Sequence, residues 1–299
     1  MSESTASLLP KEAVRALSKY REMTVLTPAG EIELVFGEAA VTIDRVWLEE
    51  VLAEVAASEG VEIVTGTRAF PNPREGECVV AAEGARAEIA SGAGLCGRRT
   101  YLVGAQYIIR SGDGPDHPVV VALPRISKEF FGWVVPAGDR EYVLGLADDP
   151  RVGSVTAKAL GLRNLFTSLW GEHEVVERFG GLIPVCRPCT PAREPYLGIG
   201  DSVCMVKQLS GGGLFAIARA APLLARSVAE GADYSALIAP IMRTLHRSWV
   251  LTKVVKALGG YWSTASLLAR AGLRRLSFGR YDLIHEGVMK TLTRNLRPR

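Results

Sequence analysis

Long apolar runs, clustered histidines and amide side chains are all scarce in this chain, and each shortage excludes something. Across 299 residues no run of about 18 uninterrupted apolar positions occurs, so no transmembrane helix is expected. Residues 1–9 are rich in Ser and Thr and lack the basic-then-apolar order of a secretory leader, so a cytoplasmic protein is expected. His117, His173, His246 and His285 are scattered without metal-ligand spacing, which argues against a metalloenzyme. No Gly-x-Ser-x-Gly or Walker string is present, so the usual signs of serine hydrolysis and P-loop phosphoryl transfer are missing. Amides are limited to Asn72, Asn164, Asn295, Gln106 and Gln208. That depletion fits a thermophilic source or a high-GC coding bias.

Cysteine is sparse too. Cys78, Cys96, Cys186, Cys189 and Cys204 are odd in number, and Cys186-Arg187-Pro188-Cys189 forms one Cys-x-x-Cys. No second Cys-x-x-Cys or His pair completes a zinc site, so no metal is expected. Thr190-Pro191 follows instead of a helix, which does not suit a thioredoxin-type motif. The expectation is a local thiol pair, oxidised in a thermophile.

What the chain does contain is the composition of a folded protein: 48% hydrophobic and 22% charged, with a net charge of +3. Its length allows one large domain or two lobes. The charge is uneven. From Ile241 to Arg299 there are 12 Lys or Arg against only Asp282 and Glu286. Trp249, Tyr261 and Trp262 lie among these cations, on segments read as helices over 235–257, 262–275 and 280–293. Basic helices with interfacial aromatics suit an anionic membrane surface, and a solvated helical face accounts for them equally well. Nucleic acid is not the expected partner, because the tail carries no recognised fold for it.

The most informative stretch runs from Tyr196 to Glu230. A short apolar run, Tyr196 to Ile199, ends in Gly200-Asp201; a loop follows, and Gly211-Gly212-Gly213 opens a long helix. Asp201 can accept hydrogen bonds from sugar-type hydroxyls, and bare N–H groups at the helix start can hold a carbonyl or anionic ring oxygen. An ordinary strand–loop–helix connection explains the same residues about as well. A second stretch, Phe131-Gly132-Trp133-Val134-Val135-Pro136, is followed after eight residues by Gly145-Leu146-Ala147. Period-two alternation puts Phe131, Trp133 and Val135 on one strand face. From the residues alone, a core-facing strand is the simpler account.

Together these segments resemble the geranylgeranyl reductase family, flavoproteins related to the aromatic hydroxylases. Gly200-Asp201, Val206-Lys207 and Gly211-Gly212-Gly213 stand at the spacing of that family's second flavin motif, with departures at Ser202, Cys204, Gln208 and Leu209. Phe131, Trp133, Pro136 and Gly145 are similar to its substrate-cavity signature. Thr42-Ile43-Asp44-Arg45 resembles the start of a helix beside the flavin, and Gly180-Gly181-Leu182-Ile183-Pro184 also fits. The resemblance covers residues 7–232. It implies FAD as cofactor, held through Arg45, Gly200, Asp201, Lys207, Gly211, Gly212 and Gly213. It further implies an isoprenoid lipid substrate against Phe131, Trp133, Pro136 and Gly145, and reduction of prenyl double bonds. No residue is singled out as proton donor; Cys204 and Tyr142 are both conceivable.

The family's N-terminal strand–Gly-x-Gly-x-x-Gly–helix unit has no counterpart at the start of the sequence, where Pro10-Lys11-Glu12-Ala13-Val14 instead reads as the opening of a helix over 10–20. Gly92-Ala93-Gly94-Leu95-Cys96-Gly97 has the glycine spacing, but β-type sequence from Tyr101 to Ile109 follows it, so the dinucleotide reading fails. At this place the family resembles a Gly-Ala-Asp-Gly loop, and Gly94 stands where its Asp would be. By the layout of that family, the resemblance implies roughly 50 further residues before this start. Three explanations stay open: a start further upstream, a partner chain supplying the ADP-binding unit, or a protein that has abandoned FAD and become a non-catalytic lipid-binding homologue.

The expected fold is α/β (α+β). A partial FAD-binding lobe takes residues 1–75 and 174–232, and an antiparallel substrate-binding sheet plus helix takes 76–173. Basic helices take 233–299. Helices are expected at 44–59, 154–170 and 213–230, and strands at 23–26, 31–36, 61–65, 77–82, 85–90, 101–110, 118–123, 130–136, 141–147, 174–185 and 196–200.

Overall fold

The computed structural model describes residues 1–284. A short helix α1 (Glu3–Ala6) precedes a long hairpin, β1 (Ala16–Thr27) and β2 (Gly30–Ile43), and then α2 (Arg45–Ser58). Next come β3 (Val79–Ala81), the short α3 (Glu88–Gly92), β4 (Thr100–Ser111), β5 (Val119–Val121), β6 (Gly132–Pro136) and β7 (Glu141–Asp148). Helix α4 (Val155–Trp170) leads to β8 (His173–Val185), β9 (Ala192–Arg193) and β10 (Tyr196–Gly198). Helices α5 (Leu214–Glu230), α6 (Tyr234–Ala257) and α7 (Tyr261–Arg270) and strand β11 (Arg275–Phe278) follow.

Helix boundaries follow local chemistry. Asp44, Ser154 and Asp233 accept the N–H of Trp47, Ala157 and Ala236, which satisfies donors that the first turns of α2, α4 and α6 leave free. Helix α5 stops at Gly231, which takes a left-handed conformation that a side chain would disfavour.

Eight strands form one sheet in the order β11-β2-β1-β5-β6-β7-β4-β8; β3-β10-β9 form a second. Alternation along the large sheet's strands separates its two faces. Ile109, Val121, Val134, Leu144 and Leu146 point to one side and pack on Leu162 and Phe166 of α4. Phe131, Trp133 and Ile183 point to the other side, toward Tyr261 of α7. A separate core joins the small sheet to α5 and α6 through Ile199, Phe215, Ala216, Leu224, Tyr234 and Leu245.

Three expected elements are replaced. The helix over 10–20 is a single tight turn, Lys11–Ala13, followed by β1. The ladder from Ala16↔Ile43 to Thr27↔Gly30 overrides the local helical signal, because hairpin pairing satisfies the same backbone groups. Residues 61–65 form no ladder with the described residues, and Val61, Ile63 and Val64 lie exposed. Residues 85–90 are a turn and the start of α3, which buries Ala87 and Ala90 against the α5 core. The hairpin β1–β2, grouped by the sequence with the cofactor lobe, is continuous with the large sheet through parallel pairing of β1 with β5. The segment expected to be helical over 280–293 lies mostly outside the described residues; Tyr281–Leu283 form one turn. No described helix is long and apolar enough to cross a membrane.

Candidate functional site

Strand β10 delivers Gly200-Asp201 into a turn that ends at Cys204, whose φ of 57° is left-handed. The chain then folds back: Lys207 donates its N–H to the Gly212 carbonyl at 3.1 Å, and Gly211 donates to the Lys207 carbonyl at 2.8 Å. This closed loop brings the glycine triplet against Asp201. A Cβ on Gly213 would sit 3.2 Å from Asp201 Oδ1, and one on Gly212 would sit 3.3 Å from Lys207 Cε. Gly211 has φ of 71°, strained for any side chain. Gly213 precedes α5 and, among the described residues, no side chain caps that helix, so its first N–H groups are available to a ligand.

A cavity of about 520 Å³ opens here, lined by Arg45, Gly200, Asp201, Lys207 and Gly211–Gly213. Among the described residues the Asp201 carboxylate has no hydrogen-bond partner. Burial raises its pKa, and the charges of Arg45 and Arg99 only partly counter this. Arg99 braces the same turn from behind, donating to the Asp201 and Ser202 carbonyls at 3.1 and 2.8 Å. An under-partnered carboxylate beside bare glycine backbone is a fit for a polyol attached to a flat, oxygen-bearing ring. The residues present therefore fit a flavin's sugar chain and ring.

A second cavity, about 780 Å³, lies between the large sheet and α6–α7, and Phe131, Trp133, Val135, Ile183, Leu209 and Tyr261 are among its lining. Arg45, Lys207, Ser210, Gly211, Gly212, Tyr281 and Asp282 border both cavities, which makes the two spaces neighbours across one loop. Phe130 and Phe131 stack at 4.0 Å, with Tyr261 edge-on to both. Gly145 does not line the space itself but seats Trp133: a Cβ there would be 2.7 Å from Trp133 Cε2 and 2.6 Å from Gln106 Cγ. Pro136 lies at the far end of β6, away from the cavity, and accepts a hydrogen bond from the Ser18 hydroxyl. Cys204 and Tyr142, the two conceivable proton donors, do not line it either. Cys204 is disulfide-bonded, and Tyr142 packs near Phe166 on the opposite face of the sheet.

At the loop between the cavities lies a buried ion pair that the sequence reading did not identify. Lys207 Nζ meets Asp282 Oδ1 at 2.9 Å, with side chains 5% and 2% exposed. The Asp282 carboxylate also accepts from the Ser2 N–H and from the Ser2 and Thr5 hydroxyls. Lys207 stands over the rings of Phe215 and Tyr281, each at 5.5 Å. One signal pointed here: Asp282 is one of only two acidic residues in the basic C-terminal stretch.

The cysteines also depart from expectation. Cys186 and Cys189 do not pair with each other; the bridges are Cys96–Cys189 and Cys186–Cys204. Non-adjacent loops carry the partners, so spacing alone could not find them.

No family profile matches the sequence. It is 27% identical over 203 residues to a digeranylgeranylglycerophospholipid reductase from Methanoculleus marisnigri, covering 59% of this chain and 51% of that protein. It is 26% identical over 153 residues to an uncharacterized protein from Methanocaldococcus jannaschii, covering 50% of this chain and 39% of that one. The chain thus spans about half or less of the length of these curated relatives. Among solved structures, a geranylgeranyl bacteriochlorophyll reductase-like protein from Thermoplasma acidophilum superposes with a TM-score of 0.75 at 16% identity, covering 99% of this chain and 85% of that one. A flavin-dependent brominase gives 0.60 at 13%, covering 85% and 74%. A p-nitrophenol 4-monooxygenase from Pseudomonas putida gives 0.57 at 12%, covering 84% and 72%. The fold is shared with these three solved proteins, a mixed α/β architecture with one large sheet.

Proposed function

We propose that this chain is the substrate-binding and flavin-cradling part of an FAD-dependent reductase that saturates prenyl double bonds in isoprenoid lipids. One observation carries the reading: the under-partnered Asp201 and the glycine triplet border a cavity that adjoins the aromatic pocket of Phe131 and Trp133. The likeness to a digeranylgeranylglycerophospholipid reductase supports the substrate class.

Asp201 would hold the sugar-chain hydroxyls, Arg45 would offset negative charge in the cavity, and the N–H groups at the start of α5 would hold a ring oxygen. Reduced flavin, when bound, supplies the reducing equivalents for the alkene. Phe131, Trp133 and Tyr261 exclude water and align the prenyl chain along the sheet face. Lys207, neutralised by Asp282, fixes the loop that divides cofactor from substrate.

The exposed run Val61, Ile63, Val64 and Phe70 supports a further element of the reading: a βαβ unit, from this polypeptide or another, that pairs with this segment and completes the FAD site. The basic C-terminal stretch would rest on an anionic membrane from which lipid enters.

Absorbance spectroscopy tests the assignment. The chain, alone or co-expressed with a small βαβ-containing partner, is expected to show flavin bands and, once reduced with dithionite, to add hydrogen to a geranylgeranyl lipid detected by mass spectrometry. A chain that stays colourless with FAD in both settings overturns it.

A further inference from the structure

The flavin reading uses none of the five cysteines, and the fold gathers four of them into one place. Cys186 and Cys189 come from the end of β8, Cys96 from the loop after α3, and Cys204 from the turn after Asp201. The sulfurs of Cys96, Cys189 and Cys204 lie within 4.8 Å of one another, and Cys186 is bonded to Cys204. Cys96 and Cys204, which are not bonded to each other, have their sulfurs 3.7 Å apart. Cys96, Cys186 and Cys204 are 7%, 8% and 0% exposed, and only Cys78, elsewhere on the surface, stands outside the group.

We propose that in its reduced state this cluster is a tetrathiolate site for a single thiophilic divalent ion, Zn²⁺ or Fe²⁺. Metal–sulfur bonds of about 2.3 Å in a tetrahedron set sulfurs about 3.8 Å apart, the spacing of Cys96 and Cys204. A multi-iron cluster needs its cysteines further apart, since iron and sulfide lie between them. The ligand set is all sulfur, which selects these ions over harder ones. The Cys-x-x-Cys at the end of β8 supplies the chelating pair of a structural site, and two separate loops supply the rest.

Surrounding chemistry suits the doubly negative centre that four thiolates and one divalent ion make. Arg99 reaches into the Cys204 turn with its Nε buried and, among the described residues, without a partner. The Arg193 guanidinium covers Gly94, two residues before Cys96, leaving no room for a Cβ there. The backbone ties the ligands together as well: Cys189 donates its N–H to the Val203 carbonyl and Cys204 to the Asp201 carbonyl. Metal bound here would pin the Asp201 turn from the side opposite the cavity.

Metal binding and the two disulfides are alternative states of the same sulfurs. Four thiols take up the ion with release of their protons. The bridged form arises from the metal-free thiols, each thiol pair giving up two electrons and two protons to an oxidant such as dioxygen as its disulfide forms. A small-molecule dithiol returns them to thiols.

Metal analysis of the full chain, purified anaerobically with a dithiol reductant, is expected to find about one zinc or iron per chain. Its elemental identity distinguishes the two ions. Replacement by Co²⁺ is expected to give intense thiolate-to-metal charge-transfer absorption. The Cys78→Ser chain should keep full metal, and Cys96→Ser should lose most of it. Because Cys96→Ser can fail to fold, the Co²⁺ spectrum of the unmutated chain decides independently. Reduced chain that remains folded, carries free alkylatable thiols and takes up neither zinc, iron nor cobalt overturns the proposal. So does a chain whose two bridges persist under the dithiol.

Discussion

Lys207 and Asp282, 75 residues apart in sequence, form a buried ion pair at 2.9 Å on the loop that separates the two cavities. Burial alone would raise the Asp282 carboxyl, but the Lys207 charge and the hydrogen bonds from Lys207 and Ser2 outweigh it and hold the pKa far below the ordinary carboxylate range. A group depressed in the folded state contributes stability above its unfolded pKa of about 3.9 and loses it as pH falls through the folded value. Asp282→Asn should therefore destabilise the chain by about 3–5 kcal/mol at neutral pH, because Lys207 is left buried and unpaired. In urea melts the gap between the two chains should be widest above about pH 4 and shrink in stronger acid. Lys207→Met with Asp282→Leu should recover only part of the loss, because it removes the unpaired ammonium but leaves the Ser2 and Thr5 donors without their acceptor.

Asp201 titrates in the opposite sense. Burial raises its pKa, so its ionised form costs stability as pH rises through that value. Asp201→Asn is expected to raise the melting temperature of the flavin-free chain at neutral pH. The same change should weaken flavin binding about ten- to a hundred-fold, the worth of a charge-assisted hydrogen bond. Calorimetry and flavin titration on one preparation read both effects, and a variant that binds flavin normally removes Asp201 from the site.

Gly145 controls the aromatic pocket from the neighbouring strand. A methyl group at this position meets Trp133 and Gln106 at 2.7 and 2.6 Å, so Gly145→Ala must displace them. The expected cost is about 1–3 kcal/mol of stability, with lower turnover on long prenyl substrates than on short ones. Trp133→Ala should enlarge the pocket and reduce the discrimination between chain lengths. Chain-length profiles by mass spectrometry compare the two.

Gly211 offers a test of the loop itself. Its φ of 71° makes Gly211→Ala strained by about 1–2 kcal/mol, and the new methyl would touch Phe130 at 3.4 Å. Weaker flavin binding without gross unfolding is the expected result, measured by fluorescence titration and circular dichroism.

The parts of the fold visible in the sequence are those whose signal is local. Helices α4, α5 and α6 carry a polar cap or a glycine terminus beside an apolar face, and β4 to β8 carry alternation interrupted by turn residues. Asp201 and the glycine triplet were placed beside each other by motif, and Phe131 and Trp133 by their shared strand face. Residues 16–27 were harder to read, because their strand identity depends on β2 and β5 rather than on their own propensity. Residues 85–90 became helical to bury Ala87 and Ala90 against distant α5. Arg99, Asp282 and the cysteine pairing depend wholly on non-local contacts.

Strand β11 bears on how the molecule is made. It lies parallel to β2, pairing Arg275 with Glu33 and Phe278 with Phe36, and Asp282 just beyond it receives Ser2 and Thr5. A polypeptide emerging from the ribosome must therefore present the outer edge of the β1–β2 hairpin bare until the residues of β11 have been synthesised. Lys207 likewise waits for its counter-charge. Assembly closes late by loop formation over more than two hundred residues, so a nascent chain halted short of β11 offers an open strand edge to chaperones or to its own copies.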